Sequence, residues 1–372
     1  MYNLSISCQL SKISTIGGTF MRRTFLLVIV LLFAFSLLAS AVLDVAFVYV
    51  GPIGDHGWSF THDRGRLYVE DVFGDAIRTA YIENVAEGAE AETAIRGYAR
   101  RGFDLIFTTS FGFMDPTIKV AAEYPGAIFM HCSGYKTADN VGTYFGRMYE
   151  PRFLSGMMAG AMTESDILGY VAAFPIPEVV RGINAFALGV NYVNPKAKVH
   201  VIWTNTWFDP GIEREAAISL LDLGADVIAQ HQDTPAPQQA AEERGAYCVG
   251  YHSDMSAFAP NAYLGGPVWN WGPYYEEVIR NVMLGEWESE EFWGGMETGT
   301  VDILVADLVP VGVRKLVEVM EAAIASGDFH PFVGPVYDQD GVLRITEGEV
   351  PTDGELLSMD WFVNNVVGRI PR

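Results

Sequence analysis

Apolar residues along this chain fall into short dense runs separated by stretches of helical period, which reads as strand and helix in alternation. Residues 42–50 open as a β-branched strand. The strand breaks at Gly51-Pro52 and leads through Gly54-Asp55-His56-Gly57-Trp58-Ser59-Phe60 into a helical stretch over 64–73. Strands follow at 77–82, 103–109, 127–131 and 141–145. Between them lie a helix over 90–101, with Ile95, Tyr98 and Ala99 on one face, and another over 118–123. A second series repeats the alternation: helix 153–162, strand 167–173, helix 179–190, strand 198–203, helix 212–223, strand 225–230, helix 238–244 and strand 247–250. A helix over 274–283, a strand over 301–306, a helix over 313–326 and a hairpin-like stretch from Gly334 to Gly341 complete the chain. Alternation of this kind predicts βαβ units and mostly parallel sheets. The small-residue helix 153–162 (FLSGMMAGAM) reads as one that approaches a sheet closely.

The two series echo each other. Arg101-Gly102-Phe103-Asp104-Leu105-Ile106 matches Leu223-Gly224-Ala225-Asp226-Val227-Ile228: helix end, glycine, acid, apolar strand. This weak internal repeat predicts two similarly built α/β lobes.

The one long apolar run lies near the N-terminus, preceded by Met21-Arg22-Arg23 and followed by Ala39-Ser40-Ala41. A basic start, an apolar middle and an A-x-A site make residues 1–41 a secretory signal, with 1–20 upstream of a better start at Met21. The alternative is a retained membrane anchor, for which the run is marginal in length. Of 372 residues, 24 are Lys or Arg and 46 Asp or Glu, a formal net charge of −22. Such acidity repels phosphate backbones and excludes nucleic acid as a partner, while suiting an exported protein with a neutral or cationic ligand. Cys132 and Cys248 remain after cleavage, and their spacing alone does not decide whether they pair.

Aromatic and acidic residues gather where the predicted strands end. The first such turn carries Asp55, Trp58 and Phe60, and the next Phe111, Phe113 and Asp115. Then come Phe174, the run Trp203, Asn205, Trp207, Asp209, the group Tyr251, His252, Asp254, and finally Trp269, Asn270, Trp271. Strand ends from two lobes facing one cleft would line it with flat rings and a few acceptors. Such a site suits a planar ring, since a base stacked on an aromatic side chain gains about 1–3 kcal/mol. Large aromatics also fill core edges, the plainer reading of each one alone.

The motifs GDHGWSFTHDRGR, YEPRFLSGMMAG, NYVNPKAKV, WTNTWFDPGIERE, GADVIAQHQD and GYHSDM, spread from Asp44 toward the C-terminus, together resemble the basic-membrane-protein family. Its members are solute-binding proteins of ABC importers, related to bacterial purine nucleoside receptors. The resemblance implies an α/β, two-lobed type I periplasmic-binding-protein fold that closes over its ligand, each lobe a mostly parallel sheet flanked by helices. The lobes are then expected at 42–148 plus about 266–305, and at 149–265 plus about 306–372. It further implies that Trp58 and Trp207 sandwich a base, with Asp55 and Ser59 in the first turn. Asp115 would read the base edge and Asp254 would hold ribose hydroxyls. The chain departs from the family in having Trp58-Ser59 for Phe-Asn. It also carries Val268-Trp269-Asn270-Trp271 where nucleoside-binding relatives have a sugar-facing lysine. Those departures favour a free purine base, adenine-like, over a nucleoside. The implied partners are the ligand and the importer's membrane subunits, with no cofactor, no metal and no stable membrane insertion.

An exported nucleoside hydrolase, an adhesive surface protein, and a zinc or sugar receptor remain as alternatives. His56 and His62 lack the i, i+4 spacing of a helix-borne zinc motif, and the turn glycines, every third residue, are not a dinucleotide fingerprint. His131, His231 and His252 stand at predicted strand ends, within reach of a cleft.

Overall fold

The computed structural model describes residues 42–371, and the expected export signal, residues 1–41, lies outside them. The first series comprises β1 (Leu43–Val48), α1 (Trp58–Phe73), β2 (Ile77–Ile82), α2 (Ala89–Arg100), β3 (Leu105–Thr108), α3 (Met114–Glu123), β4 (Ile128–Cys132) and β5 (Val141–Gly146). The second comprises α4 (Tyr149–Met162), β6 (Ile167–Ala172), α5 (Pro177–Val193), β7 (Lys198–Trp203), α6 (Pro210–Asp222), β8 (Val227–His231), α7 (Ala236–Glu243) and β9 (Tyr247–Cys248). The remainder adds β10 (Gly265–Trp269), α8 (Trp271–Leu284), β11 (Glu291–Gly294), β12 (Val301–Val305) and α9 (Val311–Ala325). It ends with β13 (Val336–Tyr337), β14 (Leu343–Ile345), α10 (Asp353–Leu357) and β15 (Val366–Val367).

Two large sheets result, ordered β11-β5-β4-β3-β1-β2 and β15-β7-β6-β8-β9. Registered neighbours run parallel throughout both. Each sheet winds outward in two directions from a central strand, so its order switches between β1 and β3, and between β6 and β8. Ligands of open α/β sheets bind beyond the carboxyl ends of strands at such switch points.

Parallel sheets are covered on both faces, which is why these strands read as unbroken apolar runs. On one face of the first sheet, Ala46, Val48, Ile106 and Phe129 pack with Ile95 and Tyr98 of α2. On the other, Phe47 stacks on Phe107 at 4.9 Å, and Tyr275 of α8 closes over both.

The internal echo has a physical counterpart. The Asp104 carboxylate accepts the Asp44 N–H at 2.9 Å, tying the entrance of β3 to that of β1. Asp226 does the same for β6, accepting from the Thr163 hydroxyl and the Glu164 and Ser165 N–H groups. The glycines before them, Gly102 and Gly224, adopt φ of 83° and 97°, the left-handed helix end that favours glycine.

Several expectations shift. The first helix starts at Trp58 rather than near 64, because the Asp55 side chain caps it. The glycines of α4 serve a helix–helix contact instead of a helix–sheet one. A Cβ on Gly156 would lie 2.0 Å from the Phe186 carbonyl oxygen of α5, and one on Gly189 would lie 1.9 Å from that of Phe153. Strands β10, β11 and β15 were not legible in the pattern; β11 and β15 are paired segments of four and two residues at sheet edges. Cys132 and Cys248 are both free and buried, one in each sheet. No helix among the described residues is long and apolar enough to cross a membrane.

Candidate functional site

A small cavity, partly continuous with solvent, lies where the carboxyl ends of the two sheets meet. From the first sheet's side come Val50 after β1, Trp58, Ser110 and Phe111 after β3, and Ser133 after β4. The second sheet contributes Glu178 in the first turn of α5, Trp207 after β7, His231 at the end of β8, and Asp233 and His252 beyond it.

Trp58 is set by the turn before it. Asp55 accepts backbone N–H groups from Gly57, Ser59 and Phe60 at 2.7, 3.1 and 3.1 Å, anchoring the first turn of α1. Ser59 faces back, its hydroxyl accepting the Gly51 N–H at 3.0 Å. Gly57 abuts the second sheet's side so closely that a Cβ would stand 2.2 Å from the Asp233 carbonyl oxygen. The Trp58 indole N–H donates to the Thr109 carbonyl at 2.5 Å. Four rings meet it edge-on or nearly so: His62, Trp269, Trp271 and His252, at 4.4 to 6.0 Å between centroids. A ring so braced has one place and one orientation. Trp207 is backed by Phe174 at 4.9 Å, and its indole N–H has no partner among the described residues.

The sequence-derived candidates therefore separate. Trp58, Phe111 and Trp207 line the cavity. Asp55 and Ser59 hold the turn, and Phe174 supports Trp207. Phe60, Asp254, Trp269 and Asn270 line a second, wider groove instead, with Arg64 and Tyr68. Trp269 stacks on Trp271 at 4.6 Å. Phe113 is fully buried in the first sheet's core, since the short helical turn over 111–113 rotates it inward. Asp115 points to solvent and pairs with Lys136 at 2.6 Å, with 76% of its side chain exposed. Asn205 is exposed in a left-handed turn and does not line the cavity.

Sequence reading missed the acids that do line it, Glu178 and Asp233, together with Ser110 and Ser133. Their signal was position: each follows a predicted strand by a few residues, as do His231 and His252. His131 does not reach the cavity; its Nε2 bonds the Ser110 carbonyl.

The polar side is acid-rich. Burial pushes the Asp55 carboxyl up to about 7, against the three backbone donors that hold it down. Asp233 is raised as well, by burial and by Asp55, Glu213 and Glu178 around it. Of this pair, Asp233 keeps the proton, because Asp55 has the donors that stabilise a carboxylate. His252 lies with Nε2 3.0 Å from Asp233 Oδ1, out of line with the ring N–H, and its Nδ1 accepts from the Trp269 indole at 3.0 Å. Burial lowers both His231 and His252, keeping them neutral.

Comparison with known proteins gives this site a context. The family model for PnrA-like ABC transporter substrate-binding proteins, Bmp, matches residues 42–319. A purine-binding protein of Brucella abortus is 46% identical over 334 residues, covering 90% of this chain and 95% of that protein. A putative ABC transporter glucose-binding protein of Haloferax volcanii is 43% identical over 331 residues, covering 88% and 81%. Among solved structures, an ABC transporter solute-binding protein from Aeropyrum pernix superposes with a TM-score of 0.67 at 20% identity, covering 86% of this chain and 98% of that one.

Two outcomes follow from the placements. Phe113→Ala should cost about 3–5 kcal/mol of unfolding free energy, whereas Asp115→Ala, breaking an exposed pair, should cost under about 1 kcal/mol in denaturant melts. The second concerns pH. Asp55 and Glu213, both held up at about 7, keep protons in the folded chain that the unfolded chain releases near its ordinary 3.8 and 4.5. Stability from this source is full below those values and is lost as pH climbs through 7. The histidines held neutral by burial act in the opposite sense until the unfolded imidazole has lost its proton, so the acids are read by comparing a variant with its parent. Asp233→Asn takes one raised acid out of the cluster, and its melting temperature relative to the parent should rise from about pH 6.5 to about pH 8.5. A difference that does not change with pH contradicts the assignment.

Proposed function

The chain belongs to the PnrA-like Bmp family of ABC transporter substrate-binding proteins, receptors that hand small ligands to membrane subunits, and we propose that its ligand is an adenine-like purine base. The observation that carries this is the cavity's make-up. Trp58 and Trp207 line it from opposite sheets, and Glu178, Asp233, His231 and Ser110 supply hydrogen-bonding groups beside them. Rings read the faces of a planar ligand while polar groups read its edge. The name of the Brucella relative supports the same class of ligand. Trp269 and Asn270, standing where nucleoside-binding relatives carry a sugar-facing lysine, line the outer groove rather than the cavity. This favours a base without its ribose.

The proposal extends to the motion. Residues 42–148 with about 266–305, and 149–265 with about 306–372, act as two lobes that close over the base. The packing of α8 against β1 and β3, and the pairing of β15 with β7, support that division. Export by the signal over residues 1–41 would place the protein outside the cytoplasmic membrane, facing its importer.

A sugar is the second reading. Aromatic platforms also stack sugars, and the Haloferax relative is described as a putative glucose-binding protein. Titration separates the two. Adenine should quench the tryptophan fluorescence of the purified protein, and glucose should not. Trp207→Ala should weaken adenine binding by roughly 5- to 150-fold, the loss of one stacking surface. Unchanged affinity in that variant, or quenching by glucose alone, defeats the purine sandwich.

A further inference from the structure

Behind the cavity, on the second sheet's side, three buried polar atoms converge on one point. A Cβ built on Gly182 of α5 would have as nearest neighbours Arg152 Nε at 3.8 Å, His231 Nδ1 at 3.8 Å and Tyr170 Oη at 3.9 Å. None of the three atoms has a hydrogen-bond partner among the described residues, and the same holds for Arg152 Nη2 and Tyr251 Oη. Arg152 and Tyr170 are fully buried and His231 is 4% exposed. In folded proteins, buried donors left without a protein partner mark a bound water or ion.

Charge decides between these. The Arg152 guanidinium makes a single hydrogen bond, to the Gln230 carbonyl at 2.6 Å, and lies 3.7 Å above the Tyr251 ring. Among the described residues no carboxylate stands at ion-pair distance from it; Glu178, the acid of this corner, meets His231 Nε2 at 3.5 Å instead. A fully buried cation without a counter-charge is strongly unfavourable. A water would satisfy the donors and leave the charge standing, whereas a small anion answers both.

We propose that the point beside Gly182 binds a monovalent anion of chloride size, held by Arg152 Nε–H, Tyr170 O–H and His231 Nδ1–H. His231 then carries its proton on Nδ1 and turns an accepting Nε2 toward the ligand cavity, 3.5 Å from a Glu178 oxygen. Two acceptors so placed suit a ligand amino group. That consequence rests on the purine reading, and the anion site does not.

The test needs no ligand. Crystals of the purified protein grown in sodium bromide should show an anomalous peak within hydrogen-bonding reach of Arg152 Nε and Tyr170 Oη. Density there without an anomalous signal overturns the proposal. In solution, at constant ionic strength, replacing gluconate with chloride should raise the melting temperature. Gly182→Ala adds a methyl that meets only ordinary van der Waals contacts, and it should remove the chloride response while lowering the melting temperature in chloride. If no anion binds, the same variant should melt higher, since alanine favours a helix over glycine. A higher melting point, or a chloride response that survives in Gly182→Ala, contradicts the site.

Discussion

The first turn of α1 meets the backbone of Asp233 with no room for a side chain between them. Gly57 permits this, and much of the site depends on it. Asp55 makes the approach rigid by taking three backbone N–H groups, so α1 begins at Trp58 and its indole is delivered to the cavity. From the other side, the Ser253 hydroxyl bonds the His56 carbonyl, closing a second contact across the same junction. A turn from one sheet thus becomes a wall of a chamber whose other wall belongs to the second sheet.

The chemistry of the chamber follows from burial. Rings nearly perpendicular to it hold Trp58 in position, and Phe174, tilted against it, backs Trp207. Two acids brought together in low dielectric cannot both ionise cheaply, so one stays protonated and can donate. Desolvation likewise leaves the neighbouring histidines neutral. The polar side therefore sets a protonated acid and neutral imidazoles beside the rings.

Much of the fold was legible because buried parallel strands leave dense apolar runs, and because Gly102-x-Asp104 and Gly224-x-Asp226 announce the same strand entrance twice. Short paired segments such as β11 and β15 leave too little pattern to read. At the site, Trp58, Phe111 and Trp207 were found because large aromatics at strand ends stand out. Phe113 shared that signature but went into the core, a difference made by one short helical turn. Asp115 and Asp254 were chosen by family position, yet one pairs on the surface and the other lies in the outer groove. Glu178 and Asp233 were passed over because nothing in composition distinguishes an acid aimed into a cavity from the many that solvate a surface.

The central claim is that the two sheets close on a purine base between Trp58 and Trp207. Native mass spectrometry of the purified protein, before any ligand is added, tests it most directly. One guest per chain, with the mass and ultraviolet spectrum of a purine base when released by denaturation, is the expected result. A hexose, or a guest carrying a ribose, would contradict it.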